Sequence, residues 1–139
     1  IWEAVGDVRR MPEWSPQVTS VRLRAPEDGI RLGTRFTNLN HLGDLEWVTH
    51  GEVVRHEPGR AIAFRIEENY TVWSFTLAAD GAGTVLTQRR DAPDGISQFS
   101  LDLTERHLGG QEAFTALMLE GMEQTLAGIR SSAEAAINR

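Results

Sequence analysis

The feature that most constrains the fold is the apolar periodicity of the last stretch, residues 109–137. Apolar side chains recur there at spacings of three and four, which is the period of one helix face. No Pro interrupts the run. A helix of about 25 residues is about 37 Å long, so other parts of the chain must cover its apolar face. That face comprises Phe114, Leu117, Met118, Met122, Thr125, Ile129 and Ala133.

Upstream, several segments alternate apolar and polar residues, which is typical of strands with one buried face. They are residues 17–24, 33–40, 46–56, 61–66, 70–78 and 84–90. Tight turn signals separate them, among them Glu57-Pro58-Gly59. Closely spaced strands joined by such turns predict an antiparallel meander, and the final helix is the one element long enough to cover its apolar face.

The alternation also predicts which side chains share a face. Thr19, Val21 and Leu23 are expected on the face opposite Val18. Further groups with a common face are Phe36, Asn38 and Asn40; Trp47, Thr49, Gly51 and Val53; Ile62, Phe64 and Ile66; Thr71, Trp73, Phe75 and Leu77; and Thr84, Leu86, Gln88 and Arg90. Residues 91–110 carry Pro and Gly and show little periodicity, so we expect an irregular connection there with a short helical turn near Phe99.

Composition narrows the class of protein. A chain of 139 residues fits one domain, residues 1–139. The net charge of −6 disfavours nucleic-acid binding. The chain has no Cys, which excludes disulfides and thiolate sites, and no apolar run long enough to span a membrane. We therefore expect a cytoplasmic protein.

Short motifs follow one another in a characteristic order: Asp7, residues 11–16 (MPEWSP), 32–36 (LGTRF), Trp47 with Val53, 57–60 (EPGR), 73–75 (WSF), 83–87 (GTVLT) and Ala133-Glu134. In order and spacing the chain resembles the START-like (SRPBCC) superfamily, in its polyketide cyclase/dehydratase-like branch. The resemblance implies an α+β helix-grip fold: a curved antiparallel sheet of about six to seven strands wrapped around the long C-terminal helix, with short N-terminal helices.

Members of this superfamily open with a strand before the first helix, whereas this chain begins at Ile1 inside an apolar, helix-like segment. We expect such a strand to precede Ile1 in the native protein. Without it one edge of the sheet is unpaired and liable to self-association, so a homodimer is considered.

The resemblance implies a cavity between sheet and helix that takes lipids, polyketides or other apolar small molecules. Large side chains converge there from both elements, as is typical of ligand sites. The predicted lining is Phe36, Asn38, Asn40, Trp47, Phe64, Trp73, Phe75, Gln88, Arg90, Phe114, Met118 and Met122. Neither a cofactor nor a metal ion is expected.

The polar members of this set allow two interpretations. Asn38 and Asn40 could bond a ligand carbonyl or hydroxyl, or instead water and loop backbone near a strand end. Arg90 could pair with an anionic ligand group, or lie at the rim and pair with Glu68 or Asp91.

The four histidines show no metal-ligand spacing. His50 and His56 are expected on strand 46–56, with His50 facing solvent. His41 and His107 are expected near loops at the cavity mouth.

Three functions therefore compete. The first is binding of an apolar small molecule. The second is a cyclase- or dehydratase-type enzyme without metal or cofactor, with Arg90 stabilising an enolate and Asn38 and Asn40 fixing carbonyls. The third is a co-chaperone-like or ribosome-associated interaction module, which needs an exposed patch rather than a cavity.

Overall fold

A computed structural model describes residues 1–107 and 110–137 of the chain. Two short helices come first, and six strands and two further helices follow them in sequence. The elements are α1 (Trp2–Val5), α2 (Met11–Trp14), β1 (Val18–Leu23), β2 (Arg35–Leu42), β3 (Leu45–Glu57), β4 (Ala61–Ile66), β5 (Val72–Asp80), β6 (Gly83–Asp91), α3 (Gln98–His107) and α4 (Gln111–Ile137).

The six strands form one antiparallel meander in the order β1-β2-β3-β4-β5-β6. The sheet is curved, and α4 is the long C-terminal helix of the arrangement. This confirms the α+β helix-grip fold predicted from the alternation and the terminal periodicity. Because neighbours in the sequence are neighbours in the sheet, β1 and β6 lie at its two ends.

The inner face of the sheet follows the predicted alternation. On β2, Phe36, Asn38 and Asn40 are all buried, as predicted. Pairing between strands then aligns these faces into cross-strand rows, which are the packing unit of a sheet. One row crosses four strands and consists of Val53, Phe64, Trp73 and Arg90.

Two irregularities alter the faces that strict alternation predicts. The pairing of β1 with β2 shifts at Thr19, so that Val18 and Leu23 are both buried. The expectation that Val18 and Leu23 point to opposite faces is therefore wrong, because an extra residue reverses the alternation.

A second shift falls at Val54 on β3. It places His56 opposite Ile62 in the sheet. The ring of His56 is half-buried there, with its centroid 5.7 Å from that of the Trp2 ring.

The connection after β6 is more regular than predicted, because α3 is a helix of ten residues rather than a short turn. Ser97 stands immediately before it. Its hydroxyl donates to the carbonyl oxygen of Glu68 and accepts from the amide of Ser100 at 3.2 Å. These bonds cap the start of the helix and fasten it to the β4–β5 turn.

Helix α4 shows the polarity that its periodicity predicts. The side chains of Thr125 and Ile129 are buried. The helix approaches α2 and β6, and Gly128 faces the Trp14 ring, where a built Cβ would make an ordinary van der Waals contact at 3.6 Å. The opposite face is exposed and comprises Glu120, Glu123, Ala127, Arg130 and Glu134. Among the described helices, none is both long and apolar enough to cross a membrane.

Candidate functional site

A cavity of about 130 Å³ separates part of the inner sheet face from α4. Its sheet side includes side chains from β1 to β6, and the segment between α2 and β1 completes one wall. Of the twelve side chains predicted to line it, the structure brings all except Phe36 to this one space. They are Asn38, Asn40, Trp47, Phe64, Trp73, Phe75, Gln88, Arg90, Phe114, Met118 and Met122. That they bind a ligand stays a prediction.

Several lining residues were not singled out from the sequence. Thr49 and Thr125 lie on faces that the periodicity had already assigned inward, so the pattern contained the signal for them. Loop residues have no such signal, because their placement depends on tertiary packing. The loop members are Ser15, Pro16, Gln17 and Asn69. The remaining members lie in helices or strands and are Met11, Val18, Gly121 and Ile66, the last of which shares its predicted face with Phe64.

The two asparagines of β2 differ in their bonding. Asn40 donates from Nδ2 to Thr49 Oγ1 at 3.0 Å and to the Trp47 carbonyl oxygen at 3.3 Å. Both acceptors lie on β3, so the amide ties the two strands together inside the sheet. The Asn40 side chain therefore has a structural role, whether or not it also contacts a ligand.

Asn38 is 3% exposed, and its Oδ1 is buried without a hydrogen-bond partner among the described residues. Oε1 of Gln88 is also buried without a partner among the described residues. Gln88 lies on the same cavity, on the end strand β6. Buried polar atoms are normally paired, and each exception needs an explanation such as a water or a ligand. These two amide oxygens are thus polar groups of the cavity lining that a ligand or a water could bond.

Among the described residues that line the cavity, Arg90 is the one with a positively charged side chain. Its Cζ lies 5.6 Å from the centroid of the Trp73 ring and 5.7 Å from that of Phe114, so aromatic rings from sheet and helix flank the guanidinium. Burial lowers the pKa of Arg90 from its ordinary value. An arginine nevertheless remains charged at neutral pH, because its ordinary pKa is so high.

The carboxylates that the sequence offered as partners for Arg90 are engaged elsewhere. Glu68 accepts from the amide of His50 and lies 2.7 Å from His50 Nδ1, and Asp91 pairs with Arg89 at 3.1 Å. In the described part of the chain Arg90 forms no ion pair, and its Nε is buried without a hydrogen-bond partner.

Phe36 lies outside the cavity lining, in the hydrophobic core. Its ring packs edge-on against Phe64, with 5.5 Å between centroids and 80° between planes. It lies beside the cavity on the same face of β2 as Asn38 and Asn40, and it contacts the lining through Phe64.

The histidines lie apart from the cavity lining as far as they are described. His41 Nδ1 lies 2.7 Å from Thr19 Oγ1, and His50 is exposed, as expected. The side chain of His107 lies outside the described residues.

One group outside the cavity contains atoms of the kind that bind metals. The potential ligand atoms of His50, Glu67 and Glu68 lie within 4.8 Å of one another. His50 and Glu67 are exposed, and surface groups of this composition are common without a metal ion. The expectation of no metal site stays a prediction.

Comparison with known proteins identifies the family of the chain. Residues 1–134 match the family described as polyketide cyclase / dehydrase and lipid transport, and the chain belongs to that family. No curated protein gives a match. Among solved structures, the chain is similar to a Polyketide_cyc-like protein from Corynebacterium glutamicum determined in solution by NMR, with 22% identity and a TM-score of 0.49 over 99% of this chain and 78% of that one.

Proposed function

We propose that this protein binds an apolar small molecule in the cavity between the sheet and α4. The observation that carries the proposal is the convergence of large apolar side chains from both elements on space that they leave unfilled. From the sheet these are Trp47, Phe64, Trp73 and Phe75, and from the helix Phe114, Met118 and Met122. Apolar walls with a few polar groups are the usual composition of small-molecule sites.

The volume limits the guest. An engineered protein cavity of about 150 Å³ accommodates benzene, so about 130 Å³ suits one ring or a short acyl segment. A larger lipid or polyketide requires α4 or its Met side chains to move. Methionine adapts well to such changes, because its side chain is unbranched and flexible.

Catalysis of the cyclase or dehydratase type is the second candidate, favoured by the unpaired amide oxygens of Asn38 and Gln88 near Arg90 in one cavity. Such groups could hold carbonyls and stabilise an enolate. However, the described lining includes no Asp, Glu or His to act as a general base. This composition supports binding more strongly than proton transfer.

The proposal is tested by filling the cavity from the helix. Gly121 lines it, and a Cβ built there would meet Pro16 at 3.9 Å as its nearest neighbour. We expect Gly121→Leu to fold and to abolish binding of phenylbutanol, a neutral ring with a short chain, measured by calorimetric titration and NMR shift perturbation.

The matched control is Ala127→Leu, which adds a side chain of the same kind to the exposed face of α4. It is expected to bind phenylbutanol as the wild type does. If wild type binds no phenylbutanol, or if Gly121→Leu binds it unchanged, the proposed function is wrong. Incubation with a reactive poly-β-ketone tests the enzymatic alternative, which predicts a product distribution that depends on the protein.

A further inference from the structure

The charge inside the cavity is unbalanced. Arg90 is flanked by two aromatic rings, its Nε is buried without a partner in the described part of the chain, and Glu68 and Asp91 pair with other residues. A cation that is partly removed from water and left unpaired costs free energy, and an anion brought by a ligand would offset that cost.

We infer that the guest is an amphiphile with an anionic head group, and that this head group, a carboxylate in the first instance, pairs with Arg90. The inference rests on the proposed function and gives the chemical class of its ligand. A guanidinium is suited to this task, because its N–H groups match the two oxygens of a carboxylate.

The position of Arg90 also fixes how the guest lies. Arg90 is on β6, at one end of the sheet, and ends the cross-strand row that runs through Trp73, Phe64 and Val53. An anion at Arg90 therefore leaves the apolar part of the guest over Trp73 and Phe64, towards the middle of the sheet.

The start of α4 adds to the same preference. Phe114, in the first turns of that helix, is the second ring against Arg90. The N-terminal end of a helix carries partial positive charge, and the contact of Phe114 with Arg90 brings the first turns of α4 close to this cation. Glu112, the acidic residue of the first turn, is exposed to solvent.

The unpaired amides complete the site. Gln88 stands two residues before Arg90 on the same face of β6, and Asn38 faces the cavity from β2. An amide can present either its oxygen or its nitrogen by turning about the terminal bond. Gln88 can thus support the head group, while Asn38 is available to a second polar group further along the guest.

The inference is tested with three probes that share one apolar body: phenylbutanoate, phenylbutanol and phenylbutylamine. We expect wild type to bind the carboxylate about tenfold to a hundredfold more tightly than the alcohol, in line with charge-assisted hydrogen bonds. The amine should bind most weakly. Acetate alone should not bind detectably, because the apolar body supplies much of the affinity.

Arg90→Met is expected to remove the preference for carboxylate over alcohol, measured as the ratio of the two affinities in the same variant. The matched control is Arg89→Met, one residue earlier on β6, whose guanidinium is exposed and paired with Asp91. That variant should keep the wild-type preference. Arg90→Lys should keep part of it, since it retains the charge and loses the fork geometry.

Outcomes separate the two proposals. The inference is overturned if wild type binds carboxylate and alcohol equally, or if the preference for carboxylate survives in Arg90→Met. Either result leaves the proposed function intact. Binding of acetate as tight as that of phenylbutanoate also overturns the inference, because it indicates a plain anion site. Failure of every probe to bind contradicts both.

Discussion

The Phe36 ring occupies the space that a side chain at Gly51 would need. The two residues face each other across β2 and β3, and a Cβ built on Gly51 would stand 2.4 Å from Phe36 Cζ. Glycine at this position lets the ring lie over the backbone of β3, where Phe36 contacts Phe64 of the cavity lining.

Gly51→Ala should therefore destabilise the fold. The added methyl group displaces a ring that is 2% exposed and surrounded by core side chains, and overpacking of this kind costs about 1–3 kcal/mol. The free energy of unfolding from urea titration measures it. Gly83→Ala is the control, since the nearest atom to a Cβ there is Asp80 O at 3.6 Å. Equal stability of Gly51→Ala and Gly83→Ala would contradict the close approach.

Asn38 and Asn40 should respond differently to the same substitution. Asn40→Ala removes the donor to Thr49 and Trp47 and should cost about 1–2 kcal/mol more than Asn38→Ala, whose Oδ1 has no partner in the described residues. Denaturant unfolding of both variants checks this difference. If Asn38→Ala loses the more stability of the two, the assignment of roles is wrong.

Arg90→Met should raise the free energy of unfolding of the empty protein. Replacing an unpaired, partly buried charge with an apolar side chain of similar length gains about 1 kcal/mol. Part of that gain is offset, because the variant loses the cation–π interactions of Arg90 with the rings of Trp73 and Phe114. The melting temperature of Arg90→Met without any probe measures the net effect. The control is Arg89→Met, which should change stability very little, because the Arg89–Asp91 pair that it removes is exposed. A melting temperature for Arg90→Met below that of Arg89→Met would contradict the account of Arg90 as unbalanced.

Asp7 should make stability depend on pH. Burial alone would raise its pKa, but the hydrogen bonds and charge of Arg9 outweigh that effect and hold the pKa below the ordinary value of 3.8. Because the pKa is lower in the folded state, the stabilisation is present above pH 3.8 and is lost as the pH falls through the folded-state value.

Melting curves over acid pH check this. The difference in melting temperature between wild type and Asp7→Asn should be largest near neutrality and should shrink below pH 3.8. Arg9→Met should weaken the same dependence, because it removes the partner that lowers the pKa. A constant difference at every pH would show that Asp7 acts only by its shape.

Much of the fold could be predicted, because the periodicity of apolar residues and the turn motifs define most of its helices and strands. Alternation alone assigns Phe36, Asn38 and Asn40 to one buried face, and the spacing of Thr125 and Ile129 identifies the inner side of α4. Local irregularities could not be predicted in this way. A single extra residue, Thr19 on β1 or Val54 on β3, reverses every later face of its strand, and nothing in the residues themselves marks where it falls.

The candidate site follows the same division. Face alternation was enough to gather the cavity side chains, since it decides which residues point inward. It could not distinguish Asn38 from Asn40, because the difference lies in Thr49 Oγ1 on the neighbouring strand. Nor could it show whether Arg90 forms an ion pair, because that depends on the other partners of Glu68 and Asp91.

Gly121 leaves part of the cavity wall without a side chain. In the proposed site, the size of an acceptable guest would therefore change with one substitution on α4, whereas the charge that we infer to select its head group lies on β6. The volume of the cavity and the charge within it thus depend on different residues, so related chains can differ in one property and keep the other.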